Sequence, residues 1–309
     1  MSDSVVLTAP APTPPADPPR RHHNKRLLTG KIVYSTLAVI IALIMAFPVY
    51  WMINCSFLPT NLIRNAVPTF FPGDNFTWRN YSTVIFGSTT PGMSTAPFLP
   101  ALLNSLKVGF LTVVIALTIG FLAALAVVRY KFFGRHGFII AILMIQMIPG
   151  VAMMWTYYRM MDGWHLTNNV FGLAMLYICA ALPFTIWTLR GFVLTVPPDL
   201  EEAAMVDGCS ASGAFWRITF PLLAPGLVST GIFAFITAWN EFTTALVMMN
   251  KPAAMTLPIW LRTFQQVTRA TNWGALMAAS TLVAIPVIVF FLIVQGRMTG
   301  GLVAGAVKG

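Results

Sequence analysis

Hydrophobic residues along the chain fall in long continuous runs. A membrane-spanning helix needs about 20 mostly apolar residues. Six runs reach this length and predict spans at 32–54, 101–128, 138–160, 169–194, 222–248 and 274–296. Pro48, Pro149, Pro183 and Pro286 lie within them, and membrane helices tolerate proline where neighbouring groups satisfy the freed carbonyls. The pattern predicts an all-α membrane protein with six transmembrane helices.

The charged residues are few, and they narrow the class of protein. Mean hydropathy is +0.75 and charged residues make up 9% of the chain, whereas about a quarter are charged in a soluble domain. A soluble fold is therefore excluded. The formal net charge of +10 raises nucleic acid as a partner, but the basic residues flank the apolar runs, as topology signals do. No basic stripe is interleaved with aromatics, so we expect no nucleic-acid binding.

Residues 1–30 differ in composition from the rest of the chain. The stretch APAPTPPADPP has too much proline and too few bulky side chains to pack. We therefore predict a disordered tail at 1–30 and a membrane domain at 31–309. The first apolar run is longer than the apolar region of a signal peptide and lacks a cleavage site, so it is interpreted as an uncleaved span.

Lys and Arg favour the cytoplasmic side of a membrane. They are dense before the first span and again between the second and third, where Arg129, Lys131 and Arg135 lie. With an even number of spans, this bias predicts that both termini are cytoplasmic. The segment 55–100 is then external, where it can pack on the outer helix ends, meet a partner protein, or do both.

The second span carries small residues at four-residue spacing, namely Ala116, Gly120 and Ala124. Small residues on one face allow two helices to approach closely. They predict helix–helix packing, either within the chain or with a second chain.

Negative charge is concentrated in DLEEAAMVDG, residues 199–208, which holds four of the nine acids. On the predicted topology this stretch lies in a cytoplasmic loop between the fourth and fifth spans. Asp199 suits an N-cap, with Glu202 three residues later in a capping-box arrangement. Gly208 suits the left-handed position that follows a helix. The stretch therefore predicts a short helix ending at Gly208.

A second short helix is predicted to follow through AFWRIT, capped by Ser210 or Ser212, with Pro221 marking the entry to the fifth span. Helix capping accounts for some of the acids. It does not account for the length of the loop or for Phe215 and Trp216, which are expected to be partly exposed. A structured, acidic and aromatic loop of this kind indicates a docking element for another protein.

The stretch EAAMVDGCSASGAFWRITFP resembles the EAA motif of ABC-importer permeases, in which glycine follows EAA after three residues and I-x-L-P follows after nine. Glu202-Ala203-Ala204, Gly208, Ile218 and Pro221 match the motif, and Phe220 stands where leucine is usual. FTWRNYSTV, AVVRYKFFG, QMIPG, LPFTIWTLRGF, FITAWNEF and GLVAGAVKG are similar to carbohydrate permeases of the maltose-transporter MalG type. The resemblance covers most of the chain outside the tail.

This resemblance implies a type I importer permease fold in the bacterial inner membrane. It implies that two homologous permeases form the pore, that two ATPases bind ATP and Mg²⁺ on the cytoplasmic side, and that an external binding protein delivers a sugar. The coupling element to the ATPase would be the loop at about 195–221, with the matching positions Glu202, Ala203, Ala204, Asp207, Gly208, Ile218 and Pro221. The terminal Lys308 and Gly309 would reach towards the ATPase pair.

Glu241 is the only acid within a predicted span. A charge in lipid is costly, so Glu241 should face a cavity, a partner or a polar network. Two interpretations stay open. Either Trp239, Asn240 and Glu241 line a sugar path, or Glu241 braces helices by accepting hydrogen bonds.

The sequence contains no G-x-x-x-x-G-K-[ST] motif and no nucleophile–base arrangement. We therefore expect a transport subunit without catalysis or a cofactor of its own. An ion-coupled carrier is one alternative, although such carriers usually show internal repeats and several intramembrane charges. An importer of the same fold for a non-sugar solute is another, which the EAA motif does not exclude.

Overall fold

The structure is a computed structural model that describes residues 25–87, 98–265 and 271–306, with side chains described for 31–87, 98–265 and 271–296. Every regular element in these ranges is helical. The α-helices are α1 Lys25–Ser56, α2 Thr60–Ile63, α3 Arg79–Phe86, α4 Phe98–Arg129, α5 Arg135–Ile145, α6 Met154–Gly163, α7 Val170–Leu194, α8 Asp199–Val206, α9 Ala211–Ala214, α10 Phe220–Asn240, α11 Thr243–Met248, α12 Leu257–Arg262 and α13 Trp273–Ala306. Short 3₁₀ helices lie at Gly73–Asn75, Gly150–Met153 and Pro252–Ala254, and a π-helical segment, Phe215–Thr219, joins α9 to α10.

Among the described residues, five helical stretches are long and apolar enough to cross a membrane. They are Lys31–Ser56, Phe98–Arg129, Val170–Leu194, Ala211–Asn240 and Trp273–Gly296. The pair Arg135–Ile145 and Gly150–Gly163 provides a sixth when the two are counted as one bent span. Each of the six predicted runs therefore corresponds to a helical stretch or to a bent helix pair, and the all-α class is confirmed.

The third run is not one continuous helix through Pro149, as the sequence predicted. Its two halves meet at an angle of 85°. Pro149 lies between them with an extended backbone, at φ −61° and ψ 116°. A proline lacks a backbone N–H and disfavours the helical conformation of the residue before it. The QMIPG stretch therefore ends α5 instead of passing through a continuous helix.

The chain divides into two compact units, residues 1–49 and 50–309. The first unit contains most of α1, a single helix in which Pro48 is accommodated. Because α1 begins at Lys25, residues 25–30 of the predicted tail are helical rather than disordered. Residues 1–24 lie outside the described residues. The second unit contains all the other helices.

The centre of the second unit is the pair α4 and α7, with α10 packed against both. Ala116 and Ala124 on α4 have no exposed surface. A Cβ at Gly120 would lie 2.5 Å from Cγ2 of Thr185 on α7, so only glycine permits this approach. The stripe of small residues therefore packs within the chain, which was one of the two arrangements it predicted.

The described part of the segment 55–100 packs on helix ends of the same unit. The side-chain amide of Asn80 donates to the carbonyls of Ser56 and Leu58, at 2.8 Å each. A Cβ at Gly274, at the start of α13, would lie 2.6 Å from that amide. These contacts agree with the first of the two roles expected for the segment.

The fifth run ends earlier than predicted. The helix α10 stops at Asn240, Glu241 and Phe242 are non-helical, and α11 begins at Thr243. The predicted span at 222–248 is therefore one span followed by a separate short helix. At its other end, α9, the π-helical segment and α10 form one helical stretch from Ala211 to Asn240.

Candidate functional site

The EAA loop, residues 195–221, begins with a helix that starts one residue earlier than the sequence suggested. The N-cap position of α8 is Pro198, which makes no side-chain capping bond, and Asp199 is the first helical residue. The predicted Asp199 N-cap and its capping box with Glu202 are therefore wrong. Pro198 already has helical dihedrals, at φ −58° and ψ −31°, whereas an N-cap needs a non-helical backbone. The acids still lie in the first turn, at the positive end of the helix dipole.

The end of α8 has the predicted geometry. Gly208 has φ +92°, in the left-handed region that favours glycine. Its N–H donates to the carbonyl of Met205 at 3.1 Å, and the N–H of Cys209 donates to the carbonyl of Ala204 at 3.0 Å. This pair of bonds is a Schellman motif, which satisfies the last carbonyls of the helix. The turn at Gly208 is confirmed.

The second helix of the EAA loop is not separate from the fifth span. Ser210 caps it, as one of the two predicted alternatives, and its hydroxyl accepts from the N–H of Gly213 at 3.1 Å. Pro221 does not interrupt the helix: it lies in the first turn of α10, directly after the π-helical segment. The loop is thus joined to the fifth span by continuous helix, with a π-helical segment at the junction.

The positions that match the EAA motif divide by exposure. Glu202, Ala203, Asp207, Gly208 and Pro221 are exposed, Ile218 is half-buried, and Ala204 is buried.

Apolar side chains accompany the exposed Glu202. Val206 is 87% exposed, Trp216 is 59% exposed, and Met205 is exposed as well. We call Glu202 and these three residues the loop surface. Exposed apolar groups in such number make this loop a candidate contact surface for another protein.

Glu241 lies at the break between α10 and α11. Its carboxylate accepts the N–H of Thr244 at 2.7 Å and the N–H of Ala245 at 3.1 Å, at the N-terminus of α11. It also accepts the hydroxyl of Tyr177 on α7 at 2.6 Å. The carboxylate therefore ties three helices together, as the bracing interpretation predicted.

The other two candidates for a sugar path differ from each other. Trp239 is 2% exposed and packs against the ring of Phe235 at 5.4 Å between centroids. Asn240 is exposed, and its amide donates to the carbonyl of Ile236 at 3.0 Å. Of the three candidates, Trp239 is buried, Glu241 is half-buried and Asn240 is exposed. The remaining expectation, contact through Lys308 and Gly309, concerns positions outside the described residues.

The sequence matches the family described as binding-protein-dependent transport system inner membrane component over residues 116–299, more than half of the chain. The chain belongs to this family. The matched range includes both the EAA loop and Glu241. The permease is therefore a transport subunit, as expected from the sequence.

Individual relatives match the permease over nearly its whole length. It is 42% identical over 285 residues to the diacetylchitobiose uptake system permease protein DasC of Streptomyces coelicolor, covering 92% of this chain and 100% of that protein. It is 36% identical over 287 residues to the trehalose transport system permease protein SugB of Mycobacterium tuberculosis, covering 92% and 99%. These matches confirm the resemblance to carbohydrate permeases.

Two crystal structures share the fold of the permease. A bacterial ABC transporter involved in the import of the acidic polysaccharide alginate aligns with a TM-score of 0.68 at 20% identity, over 90% of this chain and 99% of that chain. The alginate transporter in complex with a periplasmic protein bound to an alginate pentasaccharide aligns with a TM-score of 0.61 at 15% identity, over 87% and 94%. The type I importer permease fold is confirmed.

The permease contains one ion pair that the sequence did not predict. Glu201 of α8 lies 3.2 Å from the guanidinium of Arg129, the last residue of α4. The same carboxylate oxygen accepts the hydroxyl of Thr219 at 2.6 Å. In the sequence, Arg129 indicated only topology and Glu201 only a favourable helix dipole. Their separation along the chain leaves no local signal for the pair.

Proposed function

We propose that the chain is one of two homologous permease subunits of an ATP-driven importer that moves a saccharide into the cytoplasm. The observation that carries this proposal is the full-length match to permeases whose names specify diacetylchitobiose and trehalose uptake. A third relative, from Thermococcus litoralis, is named for trehalose and maltose transport and is 34% identical over 279 residues. The saccharide itself is set by pocket geometry shared with the second permease and by the binding protein.

In this proposal the loop surface binds a separate ATPase, which carries ATP and Mg²⁺. The chain has no phosphate-binding motif of its own, so an ATP-driven transporter needs such a partner. The exposed Val206 and Trp216 provide apolar contact area, and the exposed Glu202 provides charge for a basic group across the interface. Both termini and the EAA loop then face the cytoplasm, and the external binding protein docks on the other side. Lys308 and Gly309 stay predicted contacts of the ATPase pair.

For the saccharide path we propose the exposed face of α10. Phe233 and Ile236 are 48% and 38% exposed, and Thr237 and Asn240 are exposed on the same side of the helix. An exposed ring can stack on a sugar ring, and the amide and hydroxyl groups can bond sugar hydroxyls. Trp239 and Glu241 then act as packing and bracing residues behind this face.

Reconstituted transport tests the proposal. The complex of both permeases and the ATPases is placed in liposomes with the loaded binding protein, and uptake of labelled diacetylchitobiose, trehalose and maltose is measured. We expect ATP-dependent uptake of at least one of them. Saccharide uptake that needs no ATP but is abolished by an ionophore would indicate an ion-coupled carrier. Uptake of an amino acid or another non-sugar solute instead of any saccharide would assign a different substrate class.

A further inference from the structure

Two side chains of the EAA loop meet a third from the end of α4. Glu201 projects from α8, Arg129 from the end of α4, and Thr219 from the end of the π-helical segment. The guanidinium of Arg129 also donates to the carbonyl of Val196 at 3.4 Å, in the link between α7 and α8. We call the contacts of Arg129, Glu201 and Thr219 the Glu201 tie.

The surroundings strengthen this tie. The side chains of Arg129 and Glu201 are 17% and 26% exposed, and Thr219 has no exposed surface. Partly buried charges are screened less by salt than exposed ones, and removing one partner of such a pair leaves the other charge uncompensated. It is also the only ion pair formed by the residues that the structure describes. The tie is therefore a specific connection rather than one of many surface contacts.

The two adjacent glutamates face in different directions. Consecutive residues of an α-helix are about 100° apart around its axis, since a turn holds about 3.6 residues. Glu202 is exposed on the loop surface, whereas Glu201 points inward to Arg129 and Thr219. Glu201 therefore links the helix that carries Glu202 to the end of α4 and to the base of α10.

The backbone is interrupted on both sides of α8. The helix α7 ends at Leu194, and the link to α8 contains Pro197 and Pro198. The turn at Gly208 separates α8 from α9. The segment beyond it is π-helical from Phe215 to Thr219, a geometry that is frequent at functional sites. The Glu201 tie bridges the link between α7 and α8 through Arg129, and it bridges the turn at Gly208 through Thr219.

We propose that Glu201 is a positioning residue that makes the EAA loop move as one body with the adjoining ends of α4 and α10. Its loss uncouples ATP hydrolysis from transport while the ATPase stays bound. This inference rests on the proposed function of the chain as an ATP-driven permease. It separates two roles within one acidic stretch, since Glu202 contacts the partner and Glu201 transmits its motion.

The test compares Glu201→Gln with the matched control Glu202→Gln in the full complex. Glutamine keeps the size of each side chain and removes its charge. For Glu201→Gln we expect the number of saccharides moved per ATP hydrolysed to fall below that of the parent, while ATPase binding stays unchanged. Glu202→Gln should instead weaken ATPase binding and leave that ratio unchanged wherever the complex forms.

A charge swap, Arg129→Glu with Glu201→Arg, distinguishes the tie from general damage. The exchanged pair restores the attraction, so we expect its transport ratio to exceed those of both single variants. Three results would each overturn the proposal: an unchanged ratio in Glu201→Gln, a parallel loss of ATPase binding in that variant, or an assembled swap that stays as uncoupled as the single variants.

Thr219→Val removes only one hydrogen bond, so it should lower the ratio less. It serves as the test variant where Glu201→Gln does not assemble.

Hydrogen exchange of the α8 amides in the same complexes is independent of the transported solute. We expect faster exchange in Glu201→Gln and parent-like exchange in Glu202→Gln. If the parent complex moves no saccharide, the proposed function fails, and this comparison still decides whether the tie holds α8. Equal exchange in both variants would refute the tie.

Discussion

Glu241 accepts three hydrogen bonds at the point where α10 ends. Glu241→Gln keeps the side-chain length, but its amide has one acceptor oxygen in place of two. At least one donor then loses its partner, at a cost of about 1–3 kcal/mol. We expect the melting temperature of the purified complex to fall, measured by differential scanning fluorimetry.

Tyr177→Phe is the matched control for this change. It removes one of the three donors to Glu241 and leaves the two backbone bonds in place, so its melting temperature should fall less. A Glu241→Gln complex with the parent's melting temperature and defective transport would instead assign Glu241 to the saccharide path.

Gly208 provides a test of backbone conformation free from crowding. Nothing lies within 4 Å of the position that its Cβ would take, yet its φ is +92°. A side chain there costs roughly 1–2 kcal/mol through strain alone. We expect Gly208→Val to redirect the second helix of the EAA loop, and to lower co-purification of the ATPase while membrane insertion is unchanged. Gly191→Val is the control, since Gly191 has equal space without a positive φ, and equal losses in both variants would contradict the argument.

The local geometry that the sequence predicted correctly depends only on residues that are adjacent in the chain. The left-handed turn at Gly208 and the cap at Ser210 depend on a few adjacent positions. Asp199 failed as a cap because Pro198 had already adopted helical dihedrals. Glu201 was missed because Arg129, its partner, lies far away in the sequence. Tertiary contacts of this kind leave no mark in a single sequence.

The packing of α4 on α7 can be tested with one glycine. A Cβ at Gly120 would lie 2.5 Å from Cγ2 of Thr185, so Gly120→Ala overpacks the contact and should destabilise the protein by about 1–3 kcal/mol. Thr185→Ala removes that methyl group. We expect the double variant to melt closer to the parent than Gly120→Ala does, in thermal unfolding followed by circular dichroism. Additive losses in the double variant would show that the two positions are not in contact.

Hydropathy predicted which runs are helical, but not where the helices break. A window of about 20 residues averages over a two-residue interruption. The break after Asn240 depends on Glu241 accepting the N–H groups of α11 and the hydroxyl of Tyr177. The bend at Pro149 had a visible signal, because proline can end or kink a helix. Pro48 and Pro183 lie within helices, so the residue type alone did not distinguish the two outcomes.

For the whole molecule, the chain's topology is the prediction on which the remaining roles depend. The loop surface can meet an ATPase only if it lies on the cytoplasmic side. The segment containing Asp74 and the turn between α4 and α5 containing Phe133 are predicted on opposite sides, and both side chains are exposed. Labelling single cysteines at these two positions with an impermeant maleimide can therefore separate the two faces.

The native cysteines Cys55, Cys179 and Cys209 are first replaced by serine or alanine, and uptake is checked. We expect Asp74→Cys to react in intact cells and Phe133→Cys to react only after the inner membrane is permeabilised. The reason is the density of Lys and Arg beside Phe133, which retains that turn in the cytoplasm. If both positions react from the same side, the number of crossings between them is even. The stretch Phe98–Arg129 then does not span the membrane, and the docking role of the EAA loop loses its basis.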